Sequence, residues 1–240
     1  MKQRIEIIIK MSSSGFLYRL IAISAAVVIA GMLLSGIPAT LTVYWWHPQP
    51  EWINWETFIK NYHPVQSLPF AGGFILILGF TFFIAAAKQL AVPSTLKVPA
   101  TLATIFVAAF AAIIGTNYAL QVAWVPELVR QNSPALAGIT MHNPHSIGWI
   151  LEMFGYAFLG LATWSIALVF WGSKMMNTIR YLLIANGFIS IAAAIITTAG
   201  VNWIFKAEGI IGYITWNLLI IITMVLVYYE FRRRRLRGGQ

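Results

Sequence analysis

The sequence predicts an all-α fold: a polytopic integral membrane protein, a bundle of six transmembrane helices with both termini cytoplasmic. Three observations predict it. Hydrophobic residues make up 59% of the 240-residue chain and charged residues only 10%, against about 25% charged in soluble domains. Six stretches are mostly apolar over about 20 residues or more, the length a bilayer demands. The basic residues also alternate along the chain. Lys2, Arg4, Lys10, Arg19, Lys88, Lys97, Lys174, Arg180 and five tail arginines fall on one side, and Lys60, Arg130 and Lys206 on the other. Thirteen against three predicts a cytoplasmic location for the richer side.

A single membrane domain, 1–240, takes up the chain. The first span, about 16–45, follows a basic lead like that of a signal peptide. It is too long for one and lacks a convincing small-x-small cleavage site, which predicts an uncleaved anchor. Pro38 predicts a kink, and Gly31, Ser35 and Gly36 offer close-packing positions. The outer loop 46–66 carries Trp46, Trp52 and Trp55 with several prolines, and Trp52 to Tyr62 predicts a short interfacial helix. Spans two and three cover about 67–87 and 99–124, followed by a second outer loop, 125–146. Spans four to six cover about 147–172, 180–203 and 209–230. No convincing self-similarity relates the two halves, so an inverted repeat is not expected.

The net charge of +9 does not point to nucleic acid. Much of the excess lies in the tail 231–240, where Arg232 to Arg237 directly follows a span. That placement predicts a topology anchor meeting anionic lipid, at roughly 1 kcal/mol per basic residue near the surface. The ten tryptophans read mainly as an aromatic belt, since Trp45, Trp46, Trp52, Trp55, Trp124 and Trp203 fall near one interface. Absence of cysteine excludes disulfides and thiol chemistry. All seven side-chain carboxylates are glutamates, which excludes aspartate relays. No Walker loop, Gly-x-Gly-x-x-Gly, Gly-x-Ser-x-Gly or His-Glu-x-x-His is present. No histidine pair sits within the spans at the depth of a bis-axial heme.

Glu152 is the residue that points to a site, because an ionisable group inside a span is costly. Asn117, Gln121, Asn202 and Trp216 are expected at a similar depth below the outer interface, with Tyr156 one turn below Glu152. Thr197, Thr198, Tyr213, Thr215 and Asn217 share this half, and the other half holds few polar groups, chiefly Asn186, Thr163, Ser165 and Arg19. These residues predict an outward-facing polar cavity with an apolar floor. The structural alternative is helix–helix glue, with Glu152 a neutral acid bonded to Asn117 or Gln121. His142 and His145 flank Asn143-Pro144 at the mouth of span four. Pro144 suits a first helical turn, which would put His145 two turns above Glu152 on one face, with Trp149 and Tyr156 extending the stripe. Two imidazoles and a carboxylate suit a divalent metal, with His47 or His63 as further ligands. Glu152 and His145 equally suit acid–base chemistry. Interfacial histidines also serve simply as hydrogen-bonded helix ends.

Asn143-Pro144-His145 followed by Glu152, Gly155 and Tyr156, with Asn117-Tyr118-x-x-Gln121 before them, resembles a pattern in uncharacterised six-span bacterial membrane proteins, the DUF4386-like group. A short basic loop before a Gly-containing fifth span, Trp171 to Gly200, is similar too, so the resemblance covers about 110–200 and leaves out the Trp-rich first loop. It implies six helices and a bacterial plasma-membrane address, and no established activity.

Three functions fit these readings. The first is a non-enzymatic sensor, carrier or accessory subunit binding a small or lipid-like molecule. The second is a membrane-embedded enzyme using Glu152 and His145. The third is a small-molecule or proton-coupled transporter, which the apolar floor disfavours. The small-residue runs Ala25-Ala26 to Gly31 and Ala192 to Ala194 permit close helix contact within the chain, with a second copy or with a partner membrane subunit.

Overall fold

A computed structural model describes the backbone of residues 2–91 and 93–238 and the side chains of 15–91 and 93–237. The side chains of Lys2, Arg4 and Lys10, and tail residues 239–240, lie outside these limits. Helices account for 82% of the chain and no strand occurs among the described residues. Six helices are long and apolar enough to cross a membrane, so the chain is a multi-pass integral membrane protein in contact with lipid.

The first span is helix α1 (Lys2–Ser35) continued by α2 (Ile37–Trp46). The break at Gly36 precedes Pro38, which lacks an N–H and sits in the first turn of α2. Asn217 Oδ1 from the last span lies 3.4 Å from the Ile37 N–H, capping the restart. A short helix α3 (Trp55–Asn61) lies in the first long loop, three residues shorter at its start than the expected Trp52–Tyr62. Asn54 caps it by accepting from the Thr57 N–H. The remaining spans are α4 (Leu68–Ala87), α5 (Ser94–Ala119), α8 (Ile147–Ala167), α9 (Lys174–Thr198) and α10 (Ala207–Gly238). Short helices α6 (Val125–Arg130) and α7 (Leu136–Ile139) occupy the second long loop.

Several spans run differently from expectation: α1 starts at Lys2 rather than 16, α5 starts at Ser94 rather than 99, and α8 ends at Ala167 rather than 172. Helix α9 starts at Lys174 because the Ser173 side chain caps the Met176 N–H, and the chain leaves the helix by Gly200, at φ +134°. The span is therefore about six residues nearer the N-terminus than 180–203, and Asn202 falls in the following turn. Helix α10 does not stop at 230 but runs through the arginine tail. Glu230, almost fully buried, holds Arg233 at 2.5 Å and Arg234 at 2.8 Å one turn on.

The spans form a closed ring in chain order, α1 and its extension α2 against α4, then α5, α8, α9 and α10, with α10 back against α1. The end holding the connections 47–67, 131–146 and 199–206 is called here the loop end, and the other the basic end. Glycines set the close seams. A Cβ on Gly31 would overlap the backbone of Leu76 at 2.5 Å, one on Gly79 would meet the Val28 backbone at 2.7 Å, and one on Gly72 would strike the Leu34 carbonyl. Helices α1 and α4 thus touch backbone to backbone, as small residues allow in lipid. Within the stretch Ala25 to Gly31, Val28 and Gly31 lie at this internal seam, while Ala26 is exposed. The ring interior fills with Phe80, Phe83, Phe110, Phe170 and Phe231, while Leu78, Phe82, Ile105, Ile195 and Leu218 point outward.

Candidate functional site

Glu152 faces inward from α8, five residues past Ile147, about 7.5 Å along the helix at 1.5 Å per residue. It is only 9% exposed. Tyr118 of α5 donates to its Oε1 at 2.8 Å, and Asn117 Nδ2 donates to its Oε2 at 3.0 Å. Asn117 Nδ2 also lies 3.0 Å from the Gly148 carbonyl and 3.3 Å from Met141 Sδ. The Tyr156 hydroxyl sits 3.1 Å from that of Tyr118. Because the Tyr118 proton points to the carboxylate, Tyr156 is the donor in the phenol pair. The string Tyr156–Tyr118–Glu152 reverses direction if the carboxyl takes up a proton. Gly155 lets α5 approach α8 here, since a Cβ there would overlap Ile114, and Gly148 lets the preceding loop pack down, since a Cβ there would overlap Met141. Gly73 of α4 lies so close to the Tyr118 ring that a Cβ there would overlap it. Phe70 and Phe74 pack against the same ring.

A five-residue π turn, Leu120–Trp124, follows Asn117 and Tyr118 directly. Its cause is Pro126, which cannot donate to the preceding turn. The Val125 N–H reaches back to Leu120, and the freed Gln121 carbonyl lies 3.4 Å from the Ser67 hydroxyl. Such turns recur at functional sites. Here the π turn carries α5 into α6 and re-aims Gln121.

The sequence-predicted residues divide. Asn117, Glu152 and Tyr156 come together, and Trp216 joins them with its ring 4.8 Å from that of Tyr156 and its Nε1 donating to Ser190 at 3.1 Å. Gln121 does not reach Glu152. It staples the second loop instead, donating to the Ile139 carbonyl and accepting from the Met141 N–H, both at 3.0 Å. Asn202 is exposed in the turn after α9 and lies outside the cluster. Tyr118, not picked out as a site residue from the sequence, is the central hydroxyl. Its sequence signals are its place in the Asn117-Tyr118-x-x-Gln121 stretch and its position beneath a proline-induced turn.

His145 is not in the first turn of α8, which begins at Ile147. It is exposed, and Asn143 Oδ1 accepts from its N–H at 3.0 Å. The Asn143-Pro144 turn therefore closes on itself before the helix, and the His145-over-Glu152 stripe does not form. His142 turns away to the first loop, with Nε2 2.8 Å from the Pro50 carbonyl and its ring against Phe58 and Trp52. His47 and His63 stack on each other at 3.6 Å. Among the described residues, no three His or Glu side chains group as metal ligands.

His142 joins the two long loops over a small core of Phe58, Val125, Leu128 and Leu136. Burial holds its pKa below the ordinary histidine value, partly offset by the bond to Pro50. The docked loop thus prefers neutral His142. Its contribution is complete above the unperturbed value of about 6.5 and is lost as the pH falls below it. Acidification from about pH 7.5 to 5 is expected to loosen the first loop, read as a change in tryptophan emission through Trp52. His142→Gln should remove that part of the change, and an unaltered acid response in the variant would refute the assignment.

Comparisons with family models, curated proteins and solved structures find no match, so the DUF4386-like resemblance gains no support from them.

Proposed function

We propose that this chain binds a small or lipid-like molecule at the Glu152 cluster from the loop end, as a sensor, carrier or accessory subunit. The observation that carries this reading is a surplus of acceptors. Asn117 Oδ1 is buried with no hydrogen-bond partner, and no described cationic side chain is bonded to Glu152 beside it. Tyr118, Tyr156 and Trp216 supply aromatic walls. A ligand bearing N–H or O–H donors on an apolar body satisfies both. Under this reading the basic end, with its thirteen Lys and Arg, faces the cytoplasm of a bacterial plasma membrane, and the loop end faces out.

One observation favours proton-coupled transport as a second reading. Polar groups continue past Tyr156 through Trp216 to Ser190, and one turn further Asn186 donates to Thr163 at 3.1 Å. Asn186 and Thr163 are two of the few polar groups expected in that half, and their pairing would extend the polar path inward. Native mass spectrometry of wild type and Glu152→Gln, purified gently in detergent, tests the first reading. A bound small molecule lost in a well-folded Glu152→Gln is the expected result. No adduct in either protein, or the same adduct in both, returns the cluster to helix glue. Proton-driven flux in proteoliposomes that vanishes in Glu152→Gln favours the second reading.

A further inference from the structure

At the basic end, far from the Glu152 cluster, a shallow, wide-open cleft of about 370 Å³ lies between the start of α5, the turn after α8 and the second turn of α9. Pro93, Thr95, Leu96, Leu168, Trp171 and Arg180 line it. Arg180 is the only charged residue among them. Its Nε is buried and has no hydrogen-bond partner among the described residues. A guanidinium stays charged and offers five donors in a planar fork that matches phosphate. The positive end of α5 borders the same cleft, since Pro93 precedes Ser94 without a side-chain cap. Among the described residues no carboxylate lines the cleft to compete.

The rest of the wall is apolar, and Trp171 stands 59% exposed at the end of the spans, where indoles mark headgroup depth. A free anion would use Arg180 and leave Leu96 and Leu168 wet. A phospholipid uses both. We propose that this cleft is a binding site for an anionic phospholipid, its phosphate on Arg180 and its acyl chain along Leu96 and Leu168. The site is separate from the arginine tail, whose attraction for anionic lipid is diffuse.

Salt distinguishes the two. At about 1 M salt the screening length falls to about 3 Å, which releases lipid held by exposed arginines and spares lipid seated in a cleft. The experiment reloads delipidated protein with phosphatidylglycerol or phosphatidylcholine in mixed micelles, washes at that salt, and quantifies retained lipid by mass spectrometry. Wild type is expected to keep about one phosphatidylglycerol and little phosphatidylcholine. Arg180→Gln is expected to lower retention roughly tenfold, the scale of a charge-assisted phosphate contact. Leu168→Trp fills the cleft with every charge in place, and is expected to lower it similarly, which covers the case in which Arg180→Gln does not fold. Wild-type retention in either folded variant overturns the proposal, as does equal retention of phosphatidylcholine. Displacement of the lipid by millimolar inorganic phosphate reassigns the cleft to a free anion and also overturns it.

Discussion

Gly79→Leu is expected to remove most of the folded protein. Val28 backbone nitrogen lies 2.7 Å from where a Cβ at residue 79 would stand, and backbone cannot rotate aside as a side chain can. Overpacking a core typically costs about 1–3 kcal/mol. Forcing two backbones apart along the α1–α4 seam also strips contacts at Gly31 and Gly72, so the cost should exceed about 3 kcal/mol, out of a total stability of about 5–15 kcal/mol. Gly115→Leu is the control, since a Cβ there meets nothing within 4 Å. Monodisperse yield and melting temperature in detergent measure the difference. If Gly79→Leu melts with wild type, the seam is not as close as described.

Tyr118→Phe is expected to destabilise by about 2 kcal/mol. It deprives Glu152 Oε1 of its donor and the Tyr156 hydroxyl of its acceptor, leaving buried polar groups unpaired, at about 1–3 kcal/mol for such a loss. The same change in a Glu152→Leu background should cost much less, because no carboxylate remains to be stranded. The coupling in that double-mutant cycle is expected to be about 1–2 kcal/mol. Additive effects within about 0.5 kcal/mol would mean that the phenol and the carboxyl do not act as a unit. Glu152→Gln should be nearly neutral in the same melts. Its amide can still accept from Asn117 and can donate to Tyr118, whose hydroxyl then donates to Tyr156. That tolerance makes it the variant of choice for the ligand test.

Much of the candidate site was legible. Glu152 stood out as a charge within a span, and Asn117 and Tyr156 followed from depth and helical spacing. Gln121 shares a helical face with Asn117 by spacing, but the π turn at Pro126 sends it to the loop backbone. Asn202 was misplaced because hydropathy does not register the Ser173 cap or the Gly200 stop that shift α9. The histidines were grouped by proximity in sequence, while the Asn143 turn and the Pro50 carbonyl separate them in space.

The chain alone determined that six helices span a bilayer. Hydropathy is summed along a segment, and a bilayer sorts each segment with little regard to its neighbours. Only the tertiary structure decided which polar group meets which. A hydrogen bond needs two atoms within about 3 Å, and that distance depends on how each helix is rotated and how near its neighbour comes. Gly73 and Gly155 set that approach between helices far apart in sequence, and so made Tyr118, rather than Gln121 or His145, the partner of Glu152.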